Sequence, residues 1–346
     1  MRIAQVAPLY ESVPPKLYGG TERVVSYLTE ELVRQGHPVT LFASGDSRTR
    51  AKLAAPCPHS LRLSPEGVDP LAYHTLMVER VYRQSQDFDV IHAHIDFLHY
   101  PLARRSRIPV LTTLHGRLDL PYLVPIYREF SDLPMVSISG AQRAPLPWVH
   151  WVGTVHHSLP RTLHAMGKGN GNYLAFLGRI SPEKRVDLAI EIAKRAGMKL
   201  KIAAKVDPAD QEYFRREIEP SLDHPLVEYL GEIGESEKGI FLGEARALLF
   251  PIDWPEPFGL VMIEAMACGT PVIARPRGSV PEILEQGRTG FLCESVEAAV
   301  QALDSVESLD RAAIRQTFEN RFSAERMAGD YLSLYRRLIE EWPCPK

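Results

Sequence analysis

Glu256 and Glu264 stand eight residues apart in the stretch WPEPFGLVMIEAMACGTPV, residues 254–272. Two prolines stiffen its start, Gly259 opens a run with helical character, and Gly269 closes that run before the next strand. Val261, Met262, Ile263, Ala265, Met266 and Ala267 surround Glu264, so the helix reads as apolar on nearly every face and therefore buried. An ionised carboxylate there needs a hydrogen-bond partner, because burying it alone is costly. A vicinal diol such as a ribose 2′,3′-OH pair would serve. Glu256 lies just outside the helix start, where Phe258, Gly259 and Leu260 offer the N–H groups of the first turn to an anion or a sugar oxygen. A buried core helix with a capping glutamate and one structural carboxylate is the plainer alternative.

Cations occur at a second place. In LGRISPEKRVD, Gly178 and Arg179 end a strand, Ser181 and Pro182 begin a helix, and Lys184 falls in its first turn. A cation there opposes the helix dipole, so a bound anion explains it better than helix stability does. Arg179 and Lys184 together could neutralise a departing diphosphate. Surface basic residues are the alternative, and Arg185 beside Lys184 is easily confused with it. In PKLYGGTERVV, Gly19 and Gly20 precede an amphipathic helix and would let backbone N–H groups approach a phosphate, or simply form a turn capped by Thr21. His115 in TLHG ends a strand, whereas His92 and His94 in HAH lack a third metal ligand nearby, and we expect no metal. Asp96 and Asp119 beyond strand ends, Ser139 after MVSIS, and Gly231, Glu232 and Ile233 in YLGEI are weaker candidates for acceptor or base contacts.

The elements that must position these groups follow from apolar periodicity. Short β-branched runs at 3–6, 39–43, 90–93, 110–114, 135–138 and 152–155 alternate with helical patterns near 22–35, 71–84 and 97–105. After a glycine-rich connection at 167–172 the pattern restarts, with strands at 174–177, 200–204, 227–230, 247–251, 271–274 and 290–293. Helices begin near Pro182, Ala209, Ser236, Gly259 and Ser295, and two more follow Asp310. Alternation of this kind implies doubly wound parallel sheets with ligands beyond the carboxyl ends of the strands.

The string from Glu256 to Glu264, followed by AMACGTPVIA, resembles the E-x7-E signature of retaining glycosyltransferases of family 4, which have the GT-B fold. The resemblance runs from Gly19 to Gly290 and implies two facing Rossmann-like domains with a cleft between them. On this basis we expect an acceptor domain over 1–157, a nucleotide-sugar donor domain over 158–323, and a C-terminal helix at 324–346 crossing back to the first. It implies donor binding by Gly19, Gly20, Gly178, Arg179, Lys184, Phe258, Gly259, Leu260 and Glu264. Arg179, Lys184, Glu256 and His115 would then serve catalysis, with His115 beside the transferred sugar. The reaction implied is transfer of a sugar from a nucleotide diphosphate sugar, UDP- or GDP-linked, to a sugar, lipid or metabolite acceptor, with no cofactor required. The chain departs from the pattern at Lys205, where relatives often have glycine, and at HHSLP, 156–160, where they often carry an Asn-Gly turn. A binding or regulatory module of the same fold would not need His115 or Glu256. A hydrolase or epimerase using the same donor would release nucleotide without an acceptor.

Composition narrows the classes further. The 346 residues suffice for two domains, and 40 Lys+Arg against 43 Asp+Glu give no case for nucleic acid. Arg104, Arg105 and Arg107 could touch acidic lipid, so peripheral membrane contact stays open. Neither half carries the G-x-G-x-x-G loop of dehydrogenases. Cys57, Cys268, Cys293 and Cys344 have no metal or redox spacing, and with no apolar run of membrane length we expect a cytoplasmic protein.

Overall fold

The computed structural model describes residues 1–17, 19–62 and 68–342; Tyr18 of the glycine motif and Cys344 lie outside the described residues. Two compact units divide the chain, Met1–Ser158 with Ala324–Lys346, and Leu159–Ser323.

The first unit is built on a seven-stranded sheet of β1 (Ile3–Val6), β2 (Val39–Phe42), β3 (Lys52–Ala54), β4 (Val90–Ala93), β5 (Val110–Thr113), β6 (Met135–Ser137) and β7 (Trp151–Thr154). Their order is β3-β2-β1-β4-β5-β6-β7, and every pairing is parallel. Strands β1, β4, β5 and β6 are buried throughout, mostly by apolar residues, with Gln5, His92, Thr112, Thr113 and Ser137 as buried polar members. Helices α1 (Gly20–Arg34) and α2 (Pro70–Arg83) cover the sheet. So does the C-terminal helix Ala324–Glu341, which buries Met327, Tyr331, Tyr335 and Leu338. The helix expected at 97–105 is shorter, spanning Tyr100–Ala103, because Asp96 takes a left-handed backbone (φ 50) and the chain turns before Tyr100.

The second unit repeats the plan with six strands: β8 (Tyr173–Ile180), β9 (Lys199–Val206), β10 (Val227–Gly231), β11 (Ala247–Phe250), β12 (Val272–Ala274) and β13 (Gly290–Leu292). The order is β10-β9-β8-β11-β12-β13, again parallel. Helices α3 (Val186–Ala196), α4 (Glu235–Gly243), α5 (Leu260–Ala267), α6 (Val296–Ser305) and α7 (Arg311–Arg321) flank it. Leu174, Phe176, Ile190, Leu200, Ile202, Leu249 and Ile273 form the middle of its core. Among the described residues no helix is long and apolar enough to cross a membrane.

Candidate active site

In the second unit the cations and carboxylates gather where β8, β9 and β11 end. Arg179 is the seventh residue of β8, and the chain beyond it makes a 3-10 turn over Pro182–Lys184. Arg185 then adopts a left-handed conformation (φ 53), and α3 begins only at Val186. Lys184 therefore stands outside the α-helix, and the argument from an opposed helix dipole lapses. What holds Lys184 is side-chain chemistry. Its ammonium contacts Glu256 Oε2 and lies 4.9 Å from the Trp254 ring centroid and 5.5 Å from that of Phe250. The indole Nε1–H of Trp254 donates to the same Oε2 at 3.0 Å.

The backbone fixes this arrangement from two sides. Asp253 N–H donates to Glu183 O at 2.9 Å, tying the turn before Lys184 to the segment before Glu256. Arg185 pairs with Asp187 at 2.8 Å and Asp253 at 3.4 Å, so Lys184 alone of the two reaches Glu256. On the other side Ser279 N–H donates to Glu256 O, and Ser279 Oγ to Phe258 O, both at 2.9 Å. Gly278 passes so close that a Cβ there would lie 2.3 Å from Glu256 N. Gly259 occupies the N-cap of α5 with φ 80, and a Cβ on it would meet Met262 Cε at 2.8 Å. Glu256 is thus no helix cap; its carboxylate, in a residue 8% exposed, is aimed at Lys184 and Trp254. Phe258 is buried against Phe322, and Leu260 opens α5.

Arg179 has closer company than a clamp for an anion would suggest. Glu183 Oε1 accepts from it at 2.5 Å, with Asp207 at 3.5 Å and Asp210 at 3.6 Å. Lys205, at the end of β9, pairs with Asp207 at 2.7 Å and completes the cluster. Gly178 precedes Arg179 on the strand.

Deep in the same unit the buried carboxylate of Glu264, 4% exposed, accepts from Lys238 Nζ at 2.8 Å. Lys238 lies on α4 and also pairs with Glu235 at 3.4 Å, and Glu235 in turn meets His164 Nε2 at 3.3 Å. The sequence demanded a partner for Glu264, and the fold supplies one from 26 residues away. Ligating atoms of His164, Glu235 and Glu264 lie within 4.8 Å of one another, and the Lys238 ammonium contacts both carboxylates. Gly231 (φ 73) ends β10, and Glu232 and Ile233 lie in the short link between it and α4. Cys268 caps the other end of α5, its thiol pushed up to about 12 by burial and then by the Glu264 carboxylate.

In the first unit His115 follows β5 and joins a row of rings. His157 Nε2 is 3.4 Å from His115 Nδ1, His115 Nε2 is 2.8 Å from His94 Nδ1, and His94 Nε2 is 2.8 Å from Gln5 Oε1. Gln5 continues to Tyr335 at 3.1 Å, and Tyr335 to His92 Nδ1 at 2.7 Å. Burial holds the pKa values of His92, His94, His115 and His157 well below the ordinary histidine value, with neighbouring histidines adding to the effect at His92, His94 and His157. Gln142 clasps the segment around His115: its Nε2 donates to Leu114 O at 2.9 Å and Gly116 O at 2.8 Å. Ser139 is buried and caps the short helix Gly140–Arg143 by accepting from Gln142 N–H at 2.9 Å, so its hydroxyl serves the local fold. Gly19 (φ 153) precedes Gly20 at the start of α1, and a Cβ on Gly19 would lie 2.8 Å from Pro15. Asp96 is exposed, Asp119 pairs with Arg117 at 2.8 Å, and Arg104 of the basic cluster pairs with Glu129 at 2.8 Å and Asp132 at 2.5 Å.

Trp254, Lys238, Ser279, Gln142 and Gln5 escaped the sequence reading. Only Trp254 carried a signal there, as an indole two residues from a candidate carboxylate.

The family model described as "Glycosyl transferases group 1" matches residues 165–321, and that described as "Glycosyltransferase Family 4" matches residues 18–167. N-acetyl-alpha-D-glucosaminyl L-malate synthase of Bacillus anthracis is 24% identical over 93% of this chain and 95% of its own. An uncharacterized 41.2 kDa protein in the cps region of Klebsiella pneumoniae is 28% identical over 47% of this chain, which spans 46% of that relative's length. The crystal structure of HepE from Anabaena in complex with UDP-glucose has a TM-score of 0.73 at 17% identity, covering 97% of this chain and 100% of that one. That likeness shows the fold, which is GT-B.

Proposed function

Because the chain belongs to the family 4 glycosyltransferases, we propose that it moves a sugar from a nucleotide diphosphate sugar to a hydroxyl acceptor with retention of anomeric configuration. The Lys184–Glu256 contact carries this reading. It pairs a cation suited to a diphosphate with a carboxylate suited to a sugar hydroxyl, on two loops tied by the Asp253–Glu183 hydrogen bond. A donor would separate them, taking Lys184 to its phosphates and Glu256 to its sugar. Arg179 would exchange its carboxylate neighbours for the same diphosphate.

In this reading the leaving group departs as Lys184 and Arg179 take up its growing charge. Glu256 and the N-terminus of α5 hold the sugar as positive charge develops at its anomeric carbon. Glu264 holds ribose, with Gly178, Phe258, Gly259 and Leu260 lining the donor site. From the first unit we assign His115 to the transferred sugar and Gly19 and Gly20 to the diphosphate. Asp96, Asp119, Ser139, Glu232 and Ile233, beyond strand ends, and Lys205 and Gly231, at the ends of β9 and β10, are assigned to base or acceptor recognition by position alone. UDP-glucose is the first donor to try, since the similar HepE structure holds it. The acceptor is a sugar, lipid or metabolite hydroxyl, and the free, buried thiols of Cys57, Cys268 and Cys293 suit a cytoplasmic setting.

Calorimetric titration with UDP, GDP and ADP and their glucose, mannose and N-acetylglucosamine derivatives, with and without magnesium, tests the donor assignment. Binding of one base and one sugar, followed by nucleotide release that rises with acceptor, supports transfer. Binding with no turnover against any acceptor would favour the nucleotide-binding module, and acceptor-independent release would favour hydrolysis.

A further inference from the structure

Trp254 touches both groups at the centre of the proposed reaction. Its Nε1–H reaches Glu256 Oε2 at 3.0 Å, and its ring lies 4.9 Å from the Lys184 ammonium. Lys184 contacts that same Oε2. The indole itself is half-buried, and the ring centroid of the buried Phe250 lies 5.5 Å from the same ammonium. One side chain therefore restrains a carboxylate through its edge and a cation through its face.

We infer that Trp254 is a positioning residue for glycosyl transfer, an inference resting on the roles proposed above for Glu256 and Lys184. When Lys184 turns to an incoming diphosphate, Oε2 loses one of these two donors. The indole N–H stays, holding Oε2 in place and directing Oε1 toward the sugar. The ring face meanwhile keeps the ammonium near the path of the leaving group. No bond in the substrate is made or broken by Trp254.

The test is UDP release from UDP-glucose by wild type, W254F, W254L, E256Q and the W254F/E256Q double variant. W254F keeps a ring without the N–H, and a lost hydrogen bond to a charged group should lower turnover about tenfold while leaving KM within about twofold. W254L removes the face as well and should also raise KM. The double variant should be no slower than E256Q alone, because Trp254 acts through that carboxylate. Additive losses would overturn the inference while leaving Glu256 its role, whereas full turnover in E256Q would sink the reading of Glu256 itself. Indole ¹⁵N NMR reads the contact without substrate. The resonance absent from W254F should move upfield in E256Q, and a resonance indifferent to Glu256 would overturn the inference even if UDP-glucose is not turned over.

Discussion

Lys238 donates to Glu264 at 2.8 Å inside the second unit, where both side chains are largely removed from water. Removing one member of such a pair leaves an uncompensated charge. K238M should therefore destabilise the protein by roughly 3–5 kcal/mol, measured by urea unfolding. K238M/E264Q should be distinctly more stable than K238M, since the double change removes the stranded carboxylate. A K238M variant as stable as wild type would show that the pair contributes nothing, and equal stabilities of K238M and the double variant that the loss does not come from a stranded carboxylate.

Catalysis and binding should separate at the proposed site. E256A and H115A should lower transfer about 100-fold, the scale of losing one electrostatic contact to a transition state, with nucleotide affinity little changed. E264A should do the reverse, weakening nucleotide binding in calorimetry. Wild-type rates for K184A and R179A would remove the diphosphate clamp.

The row of buried histidines predicts a direction for pH dependence. These rings stay neutral in the folded protein because burial lowers their pKa values, whereas in the unfolded chain they take protons below about pH 6.5. The unfolded state then binds more protons, so their stabilising contribution is complete above that pH and is lost as pH falls. Each ring that stays neutral contributes a slope of about 1.4 kcal/mol per pH unit. Denaturant midpoints from pH 8 to 5 should fall on acidification, and less steeply in H94N.

Gly278 offers a steric test. A Cβ 2.3 Å from Glu256 N cannot be accommodated without moving that backbone, and the φ of 57 disfavours any side chain. G278A should cost about 1–3 kcal/mol of stability and lower transfer disproportionately, since it displaces Glu256. A variant with reduced stability and full turnover would free Glu256 from this buttress.

Much of the alternating fold is legible because buried parallel strands are short, largely apolar runs; Val90, Ile91 and Ala93 mark β4 in spite of His92 between them. Polar strand ends are harder. Gly178 and Arg179 belong to β8, and Lys205 to β9, through hydrogen bonds that hydropathy does not register. The edge strand Lys52–Ala54 is three residues long and escaped, as did the helix Val124–Glu129 with its proline in the first turn. The dipole argument for Lys184 failed on one left-handed residue, Arg185, whose conformation no pattern announces. Glu264 could be seen to need a partner, but choosing Lys238 over a ligand required the placing of α4 beside α5. The pairing of Lys184 with Glu256 spans 72 positions and depends on loops rather than periodicity.

Gln5, His94 and His115 are each bonded at both edges, and His157 joins the row through Nε2. A neutral imidazole has a single N–H, so the members cannot choose independently. With the Gln5 carbonyl toward His94 Nε2, His94 must present a lone pair at Nδ1, His115 a proton at Nε2 and a lone pair at Nδ1, and His157 a proton at Nε2. Turning one buried amide over would reverse all three rings at once. The row is in effect a single switch with two polarities, and the amide of Gln5, wedged between His94 and Tyr335, decides which face of His115 is basic.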